Sequence, residues 1–241
     1  MLENKRLIIF DLDGTLLDSV GVWNQIDEEM IKTLGGTIEE GLDLGKRRDK
    51  ALASFNKDQD AYLEYCGYLG QLYGSSLSKE ELKNLRYSIA SRLLKDKVDY
   101  KPNAEDVLKY LRAKGIKMVI GSTTNDYTVE VYKHENQNII SKAPFDEYFE
   151  RIYSKGSVQE LKPSPAVHYK IMEDFGLKPE ECLIIEDSVI GLKAGAAAGI
   201  DTIAMYDKYS ESSRDEIDTL AKYKFNNFKE LLDALKAELG E

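Results

Sequence analysis

Asp11 and Asp13 are the first residues of this chain whose types and spacing could do chemistry. They follow the apolar run Leu7–Phe10, which is typical of a buried strand, and Gly14 then allows the backbone to turn. At the end of a strand in a parallel sheet, both carboxylates can face the crevice in which open sheets bind ligands. Because Asp and Gly are also the usual turn formers, the pair alone is more typical of an ordinary acidic turn than of a site.

A second acidic pair, Glu186 and Asp187, follows the apolar run 182–185. Four carboxylates at neighbouring strand ends would repel one another unless a cation lay among them. Oxygen ligands with little His or Cys nearby favour Mg²⁺ over zinc. The two pairs together therefore predict a Mg²⁺ site, although Asp187 could also cap the helix that follows.

Ser122 and Lys162 are candidates for holding a phosphate group. Ser122 follows the apolar run 117–121, and its hydroxyl and the exposed N–H groups of a helix start could bind phosphate oxygens. Such a hydroxyl is also common as a plain helix cap. Lys162 is one of 33 Lys and Arg residues, and only its rigid Lys-Pro-Ser-Pro setting at a helix entry singles it out.

The apolar runs that carry these groups alternate with helical patterns along the chain. The runs are 7–10, 117–121, 182–185 and 202–205, and the helical patterns are 103–114, 164–176 and 187–199. This alternation predicts an α/β fold with a Rossmann-like parallel sheet and helices on both faces. Such a sheet would bring the candidate residues together at one edge.

Residues 18–97 interrupt this alternation and contain no convincing strand. A helix capped by Asp18 or Ser19 is expected to end at Gly35-Gly36, and Ser78 to Glu81 has the spacing of a capping box. We therefore predict two domains. Residues 1–17 and 98–241 form the α/β domain, and residues 18–97 form a small α-helical domain.

Composition narrows the class of protein further. The 241 residues, 42% of them hydrophobic, are enough for a full core, and the formal net charge of −10 argues against a nucleic-acid partner. A small phosphorylated ligand would need a local cationic site and a metal for the same reason. The two cysteines are far apart in the sequence and do not indicate a disulfide framework. We also find no apolar signal core and no apolar run of membrane length, so we expect a cytoplasmic protein without membrane partners.

The four groups, in this order, resemble the motifs of the haloacid dehalogenase superfamily. Asp-x-Asp-Gly-Thr stands at 11–15, the hydroxyl residue at Ser122 and the lysine at Lys162. The acidic pair lies in Glu-Asp-Ser-x-x-Gly-x-x-Ala-Gly-x-x-Ala-Gly, which ends at Gly199. The resemblance extends over residues 5 to 205, and within the superfamily the chain is most similar to the phosphoglycolate-phosphatase and β-phosphoglucomutase group.

The resemblance implies a Mg²⁺-dependent phosphatase that hydrolyses a small phosphate monoester, such as a sugar phosphate, through an aspartyl-phosphate. Asp11 would be the nucleophile, and Asp13 would protonate the leaving oxygen and then activate water. Asp11, the backbone carbonyl of Asp13 and Asp187 would bind Mg²⁺, with Glu186 bound directly or through water.

The resemblance also implies phosphate and substrate contacts. Ser122, the Thr123 backbone and Lys162 would hold the transferring oxygens. Residues 18–97 would be the family's helical cap, in which Arg47 or Arg48 could bind a second anionic group of the substrate. A solvated basic turn explains these two arginines equally well. Trp23 could line the substrate pocket or belong to the core of the cap.

Two other functions stay open at this point. Mutases of the group carry a His about twelve residues beyond the nucleophile, and this chain has Trp23 there, which favours hydrolysis over phosphate exchange. A catalytically inactive binding protein is disfavoured because every motif carboxylate is present. The sequence does not determine the oligomeric state, and a monomer is expected.

Overall fold

The computed structural model describes residues 1–55 and 60–240, which form two compact units. The α/β unit comprises Met1–Asp18 and Val98–Glu241, and the helical unit comprises Ser19–Lys97. The predicted helical range 18–97 includes residues 56–59, which lie outside the described residues.

The α/β unit is built on a six-stranded, wholly parallel sheet in the order β3-β2-β1-β4-β5-β6. The strands are β1 (Leu7–Phe10), β2 (Lys117–Gly121), β3 (Arg151–Tyr153), β4 (Cys182–Glu186), β5 (Asp201–Met205) and β6 (Tyr223–Phe225). The chain order runs outward from β1 in one direction and from β4 in the other. The gap between these two strands is therefore a topological switch point, where sheets of this kind bind ligands.

Register places the candidate site at this switch point. Phe10 is paired with Ile120 on one side and with Ile185 on the other. The strands β1, β2 and β4 therefore end within one residue of the same level of the sheet. Asp11 is the first residue after β1, and its backbone N–H still bonds to the carbonyl of Ile185 at 2.9 Å.

Helices cover both faces of this sheet. Eight α-helices belong to the described part of the α/β unit: α5 (Ala104–Ala113), α6 (Asp126–His134), α7 (Gln137–Lys142), α8 (Phe145–Tyr148), α9 (Ala166–Phe175), α10 (Val189–Ala197), α11 (Arg214–Leu220) and α12 (Phe228–Glu238). Leu7 and Ile9 of β1 pack in one cluster with Ile171 of α9. Ile8 and Phe10, which point to the other face, are as deeply buried.

The helical unit consists of four helices among its described residues: α1 (Val20–Thr33), α2 (Leu44–Ser54), α3 (Ala61–Leu72) and α4 (Lys79–Lys97). The predicted capping box before α4 is confirmed. The Ser78 N–H donates to the Glu81 carboxylate at 2.8 Å, and the Glu81 N–H donates to the Ser78 hydroxyl at 3.3 Å. Buried apolar side chains of α1, α3 and α4 form the core of this unit.

The predicted fold class is confirmed, with corrections at the ends of elements. All four predicted strands are present, whereas the three-residue edge strands β3 and β6 were not predicted because they are too short to show a pattern. Ser188, rather than Asp187, caps α10 by accepting the Gly191 N–H at 3.1 Å. Pro165 is the N-cap residue of α9, so this helix begins at Ala166, two residues after the start of the predicted range 164–176.

Two further features of the described residues concern the cysteines and the helices. Cys66 and Cys182 are buried free thiols. No helix in the described ranges combines the length and the apolar character needed to cross a bilayer.

Candidate active site

Three buried carboxylates meet beyond the ends of β1 and β4. Asp11, Glu186 and Asp187 are 7%, 1% and 5% exposed, and one oxygen from each lies within 4.8 Å of the others. The parallel pairing of β1 with β4 produces this arrangement, because the first acid after β1 lies beside the last residue of β4. The predicted convergence of the two acidic pairs is therefore present in the structure for these three side chains.

Two glycines make room for these carboxylates. Gly14 has φ of +91°, and a Cβ there would lie 2.6 Å from an oxygen of Asp187. A Cβ on Gly191, in the first turn of α10, would lie 1.6 Å from an oxygen of Glu186. Both positions require glycine, which gives a physical reason for the spacing of the Asp-x-Asp-Gly and Glu-Asp-Ser-x-x-Gly motifs.

Lys162 links two of the three acids. Its Nζ lies 2.7 Å from Oδ1 of Asp11 and 2.8 Å from Oε1 of Glu186, and the side chain is buried. Burial alone would lower the pKa of Lys162, but the two carboxylates outweigh it and raise this pKa above its usual value. Lys162 is therefore a permanent cation at the centre of the site.

Glu186 uses both of its carboxylate oxygens within the protein. Oε1 accepts from Lys162, and Oε2 accepts the N–H of Asp187 at 2.8 Å, the N–H of Ser188 at 2.9 Å and the Ser188 hydroxyl at 3.0 Å. A carboxylate held by four donors has little remaining capacity to bind a cation directly. Glu186 is therefore suited to orienting Lys162 and to contacting a metal through water.

Asp187 is held more loosely. The Thr15 hydroxyl donates to its Oδ1 at 2.7 Å, and the Ser210 hydroxyl approaches Oδ2 at 3.4 Å. Thr15 belongs to the first motif, but its role depends on the β1–β4 pairing and was not predicted. Ser210 lies in the 3-10 helix Lys208–Ser213 that follows β5, and no feature of the sequence marked it.

The charge of this cluster indicates that it is suited to a cation. Burial, followed by the Glu186 charge, raises the pKa of Asp11 to about 7 despite the opposing effect of Lys162. Burial and the charges of Glu186 and Asp11 also raise the pKa of Asp187 well above its usual value. One lysine thus does not offset three buried carboxylates. Hard oxygen donors with this excess of negative charge fit a divalent cation.

Asp13 is held apart from this cluster by two hydroxyl groups. The Thr124 hydroxyl donates to its Oδ2, and the Tyr132 hydroxyl donates to Oδ1 at 3.0 Å. Thr124 also shares a 2.8 Å hydrogen bond with Ser122, whose N–H extends the sheet to Tyr153. Ser122 therefore lies in one hydrogen-bond network with Asp13. Sequence reasoning missed Thr124 and Tyr132, because their roles depend on how α6 packs.

The other predicted phosphate contact, Thr123, lies between these residues and is partly exposed. Asn125 follows and caps α6 by accepting the Thr128 N–H at 2.9 Å. Ser122 and Thr123 thus lie in the turn between β2 and α6, at the edge of the sheet where Asp11 also lies. Their contact with phosphate stays a prediction.

His168 occupies an unusual position in α9, six residues beyond Lys162. Its side chain is fully buried, and neither ring nitrogen has a hydrogen-bond partner among the described residues. Burial and the positive charge of Lys162 lower the pKa of His168 from 6.5 to about 3. The structure thus buries His168 as a packing residue and keeps its ring neutral at pH 7.

In the helical unit, Arg48 has an internal partner. Its Nη1 lies 2.8 Å from Oδ2 of the fully buried Asp27, whose Oδ1 accepts from Nε of Arg86 at 3.1 Å. Only 11% of the Arg48 side chain is exposed. The basic turn suggested by the sequence is therefore, at this position, an ion-paired segment of α2.

Arg47 and Trp23 differ from Arg48. Nη1 of Arg47 donates to the Tyr73 hydroxyl at 3.1 Å and has no carboxylate partner among the described residues. Its Nε and Nη2 are buried and lack hydrogen-bond partners among those residues. Trp23 is partly buried, and the Arg86 guanidinium lies 5.6 Å from the centre of its ring. Arg47 thus has two buried donors without a partner among the described residues, whereas Trp23 packs on an internal cation.

Acidic pairs and a buried lysine at the switch point of a parallel sheet are typical of an α/β enzyme. The chain matches the haloacid dehalogenase-like hydrolases over residues 8–205 and belongs to that family. The resemblance inferred from the four motifs is therefore confirmed.

Similar proteins include a phosphatase, the protein CbbY and a structure assigned as a mutase. A phosphoglycolate phosphatase from Psychrobacter arcticus is 27% identical over 239 residues, which cover 96% of each chain. Protein CbbY from Rhodobacter capsulatus is 26% identical and covers 85% of this chain and 87% of its own. A Thermotoga maritima structure provisionally assigned as a β-phosphoglucomutase has a TM-score of 0.75 at 20% identity, covering 96% of this chain and 99% of its own.

We predict that His168→Phe makes the protein more resistant to mild acid. The unfolded chain takes up a proton at this residue below about pH 6.5, and the folded protein does so only near pH 3. The free energy of unfolding therefore falls as the pH is lowered through this window. Without the imidazole, the fall in the free energy of unfolding between pH 7 and pH 5 should be smaller by about 2 kcal/mol.

Urea unfolding at the two pH values, followed by circular dichroism, measures this difference. The exposed His134 provides the matched control, and His134→Phe should leave the loss nearly unchanged. An equal loss in wild type and His168→Phe would show that the buried ring does not resist protonation.

A second prediction separates the two neighbouring arginines. Arg48→Met removes one of two cations from a fully buried carboxylate and should lower the free energy of unfolding by about 2 to 3 kcal/mol. Arg47→Met, which removes one hydrogen bond to a tyrosine, should lower it by less than about 1 kcal/mol. Urea titrations of the full chain at pH 7 measure both values. Equal losses for the two variants would contradict the distinct placements of these side chains.

Proposed function

We propose that this protein is a Mg²⁺-dependent phosphatase that hydrolyses a small phosphate monoester, a sugar phosphate or similar metabolite, through an aspartyl-phosphate. One observation carries the proposal, namely that Asp11, Glu186 and Asp187 meet at the switch point of the sheet, where Lys162 bonds to the first two. Membership of a hydrolase family and similarity to a phosphoglycolate phosphatase support it.

Asp11 is the proposed nucleophile. Lys162 holds its Oδ1, and no donor among the described residues reaches Oδ2, which leaves that oxygen available to attack phosphorus. In the first step Oδ2 forms a bond to phosphorus as the bond to the leaving oxygen breaks. In the second step water attacks phosphorus and releases Asp11 with inorganic phosphate.

Asp13 is the proposed general acid and base. It would give a proton to the leaving oxygen in the first step and accept one from water in the second. The hydroxyl groups of Thr124 and Tyr132 bond to its two oxygens, which fixes its orientation. Fixed geometry matters because the proton must be delivered to a defined oxygen.

The proposed metal ligands are Asp11, Asp187 and the backbone carbonyl of Asp13. Glu186 would contact the metal through water, since four donors already occupy its oxygens. Bound Mg²⁺ would neutralise charge on the transferring phosphate and shield it from the nucleophile. We favour Mg²⁺ among divalent cations because carboxylate and carbonyl oxygens are its usual protein ligands.

The protein's own cations and N–H groups would hold the phosphate. We propose Lys162, the Ser122 hydroxyl and the Thr123 N–H for this task, acting on oxygens that gain charge during transfer. Ser122 is well placed to be rigid, because its N–H bonds to Tyr153 at 2.9 Å and its hydroxyl bonds to Thr124 at 2.8 Å.

Recognition of the rest of the substrate is proposed for the helical unit. Arg47 is the stronger candidate for a second anionic group, because it has no carboxylate partner among the described residues and two of its buried donor atoms have no hydrogen-bond partner there. Contacts from Arg48 and Trp23 stay predictions, and the pairing of Arg48 with Asp27 argues against it. The net charge of −10 supports a small-molecule substrate over a nucleic acid, and the free thiols support a cytoplasmic location.

Asp11→Asn should abolish phosphate release, because an amide cannot form the aspartyl-phosphate. The expected loss is roughly three orders of magnitude or more in kcat for an aryl phosphate with Mg²⁺ present. EDTA should abolish wild-type turnover, and added Mg²⁺ should restore it. Circular dichroism of Asp11→Asn serves as the folding control. Substantial turnover by folded Asp11→Asn, or by wild type shown to be metal-free by elemental analysis, would refute the mechanism.

The nature of the product separates hydrolysis from phosphate exchange. With β-glucose 1-phosphate and Mg²⁺, phosphorus NMR should show inorganic phosphate as the main product, because Trp23 stands where mutases of the group carry a His. Rapid formation of glucose 6-phosphate without comparable phosphate release would instead identify a mutase. If this sugar is inert, a panel of sugar phosphates and small phosphorylated acids supplies the test substrate.

A further inference from the structure

We propose that Lys101 and Asp207 are positioning residues that act on the Asp187 carboxylate through the Ser210 hydroxyl. The inference rests on the proposed function, because it concerns a proposed metal ligand. It assigns a role to the loop after β5, which contains none of the four motifs. The following contacts all lie within the α/β unit.

Lys101 and Asp207 form a largely buried ion pair. Nζ of Lys101 lies 2.6 Å from Oδ2 of Asp207, and the two side chains are 13% and 4% exposed. The Lys101 N–H donates to the carbonyl of Leu16 at 2.8 Å, which fixes this lysine beside the segment that contains Thr15. The ion pair therefore ties the loop after β5 to the loop after β1.

Asp207 also shapes the turn that follows it. Its Oδ1 accepts the Tyr209 N–H at 2.8 Å, and its backbone carbonyl accepts the Ser210 N–H at 3.0 Å. Asp207 thereby caps the 3-10 helix Lys208–Ser213. Because Lys101 holds the Asp207 side chain, the turn that Asp207 caps has a fixed position, and this turn determines where Ser210 lies.

The turn places the Ser210 hydroxyl 3.4 Å from Oδ2 of Asp187. The other oxygen of Asp187 accepts from Thr15 at 2.7 Å. Hydroxyl groups from two different loops thus approach the two oxygens of one carboxylate and limit its rotation. Hydrogen bonds of this kind around metal-binding carboxylates tune the affinity of the metal.

The ion pair also keeps this support electrically neutral. An acidic side chain at position 207 without Lys101 would add a fourth buried negative charge close to Asp187. Paired with Lys101, Asp207 can form the turn without adding net charge to the cluster. An aspartate can therefore cap the turn beside the carboxylate cluster, because Lys101 neutralises its charge.

The test is the Mg²⁺ dissociation constant of the full chain, measured by calorimetric titration with MgCl₂. Ser210→Ala should weaken binding roughly 3- to 10-fold, and Ser210→Thr, which keeps the hydroxyl, should bind within about 2-fold of wild type. Ser212→Ala is the matched control, because Ser212 is an exposed serine of the same 3-10 helix. It should bind Mg²⁺ like wild type.

Non-additivity tests the proposed route from Asp207 to Asp187. The neutral variant Lys101→Met/Asp207→Leu removes both charges together, so it leaves no unpaired lysine near Asp187. It should also weaken Mg²⁺ binding, and its combination with Ser210→Ala should bind no more weakly than the weaker of the two. Thermal melting shows whether this variant is folded, and Lys101→Met/Asp207→Asn replaces it in the same cycle if it is not.

The outcomes separate this inference from the proposed function. Unchanged Mg²⁺ affinity in Ser210→Ala, or full additivity when Ser210→Ala is combined with the neutral variant, would overturn the positioning role while leaving the phosphatase proposal intact. Absence of Mg²⁺ binding by wild type would instead refute the proposed function.

Discussion

The repulsion among three buried carboxylates is the constraint on which the architecture of this site depends. One carboxylate oxygen from each of Asp11, Glu186 and Asp187 lies within 4.8 Å of the other two, where water offers little screening. Lys162, bonded to two of them, supplies one positive charge and leaves the cluster with a surplus of negative charge. The sheet register, the glycines that admit the carboxylates and the hydroxyl groups that hold them all serve to maintain this otherwise unfavourable arrangement.

The acidic pair after β4 shows how neighbouring residues of similar chemistry acquire different tasks. Glu186 is the last residue of its strand, and its longer side chain bends back to accept three donors at the start of α10 while still bonding to Lys162. Asp187 has left the strand and receives hydroxyl groups only. One acid therefore fixes the lysine, and the other keeps capacity for a cation.

The strands and the acids at their ends could be predicted from local sequence pattern, whereas side-chain contacts that depend on packing could not. The inner strands and the acids at their ends follow from apolar runs that stop abruptly, so the fold class could be predicted. The contacts of Asp13 with Thr124 and Tyr132 join residues more than a hundred positions apart and depend on the packing of α6. Arg48 was grouped with Arg47 as a basic turn, because its partner Asp27 lies one helix away and carries no sequence signal.

Under the proposed function, the charge balance of the site also determines how substrate and metal bind. A phosphate monoester brings negative charge to a place that already holds an excess of it, on a chain with a net charge of −10. Lys162 cannot offset that charge alone, since Asp11 and Glu186 already share it. A divalent cation is then needed for substrate binding as well as for the chemical step. Because coupling between two ligands is reciprocal, substrate should in turn strengthen the binding of the metal. The same repulsion that makes the empty cluster costly therefore couples the two binding events.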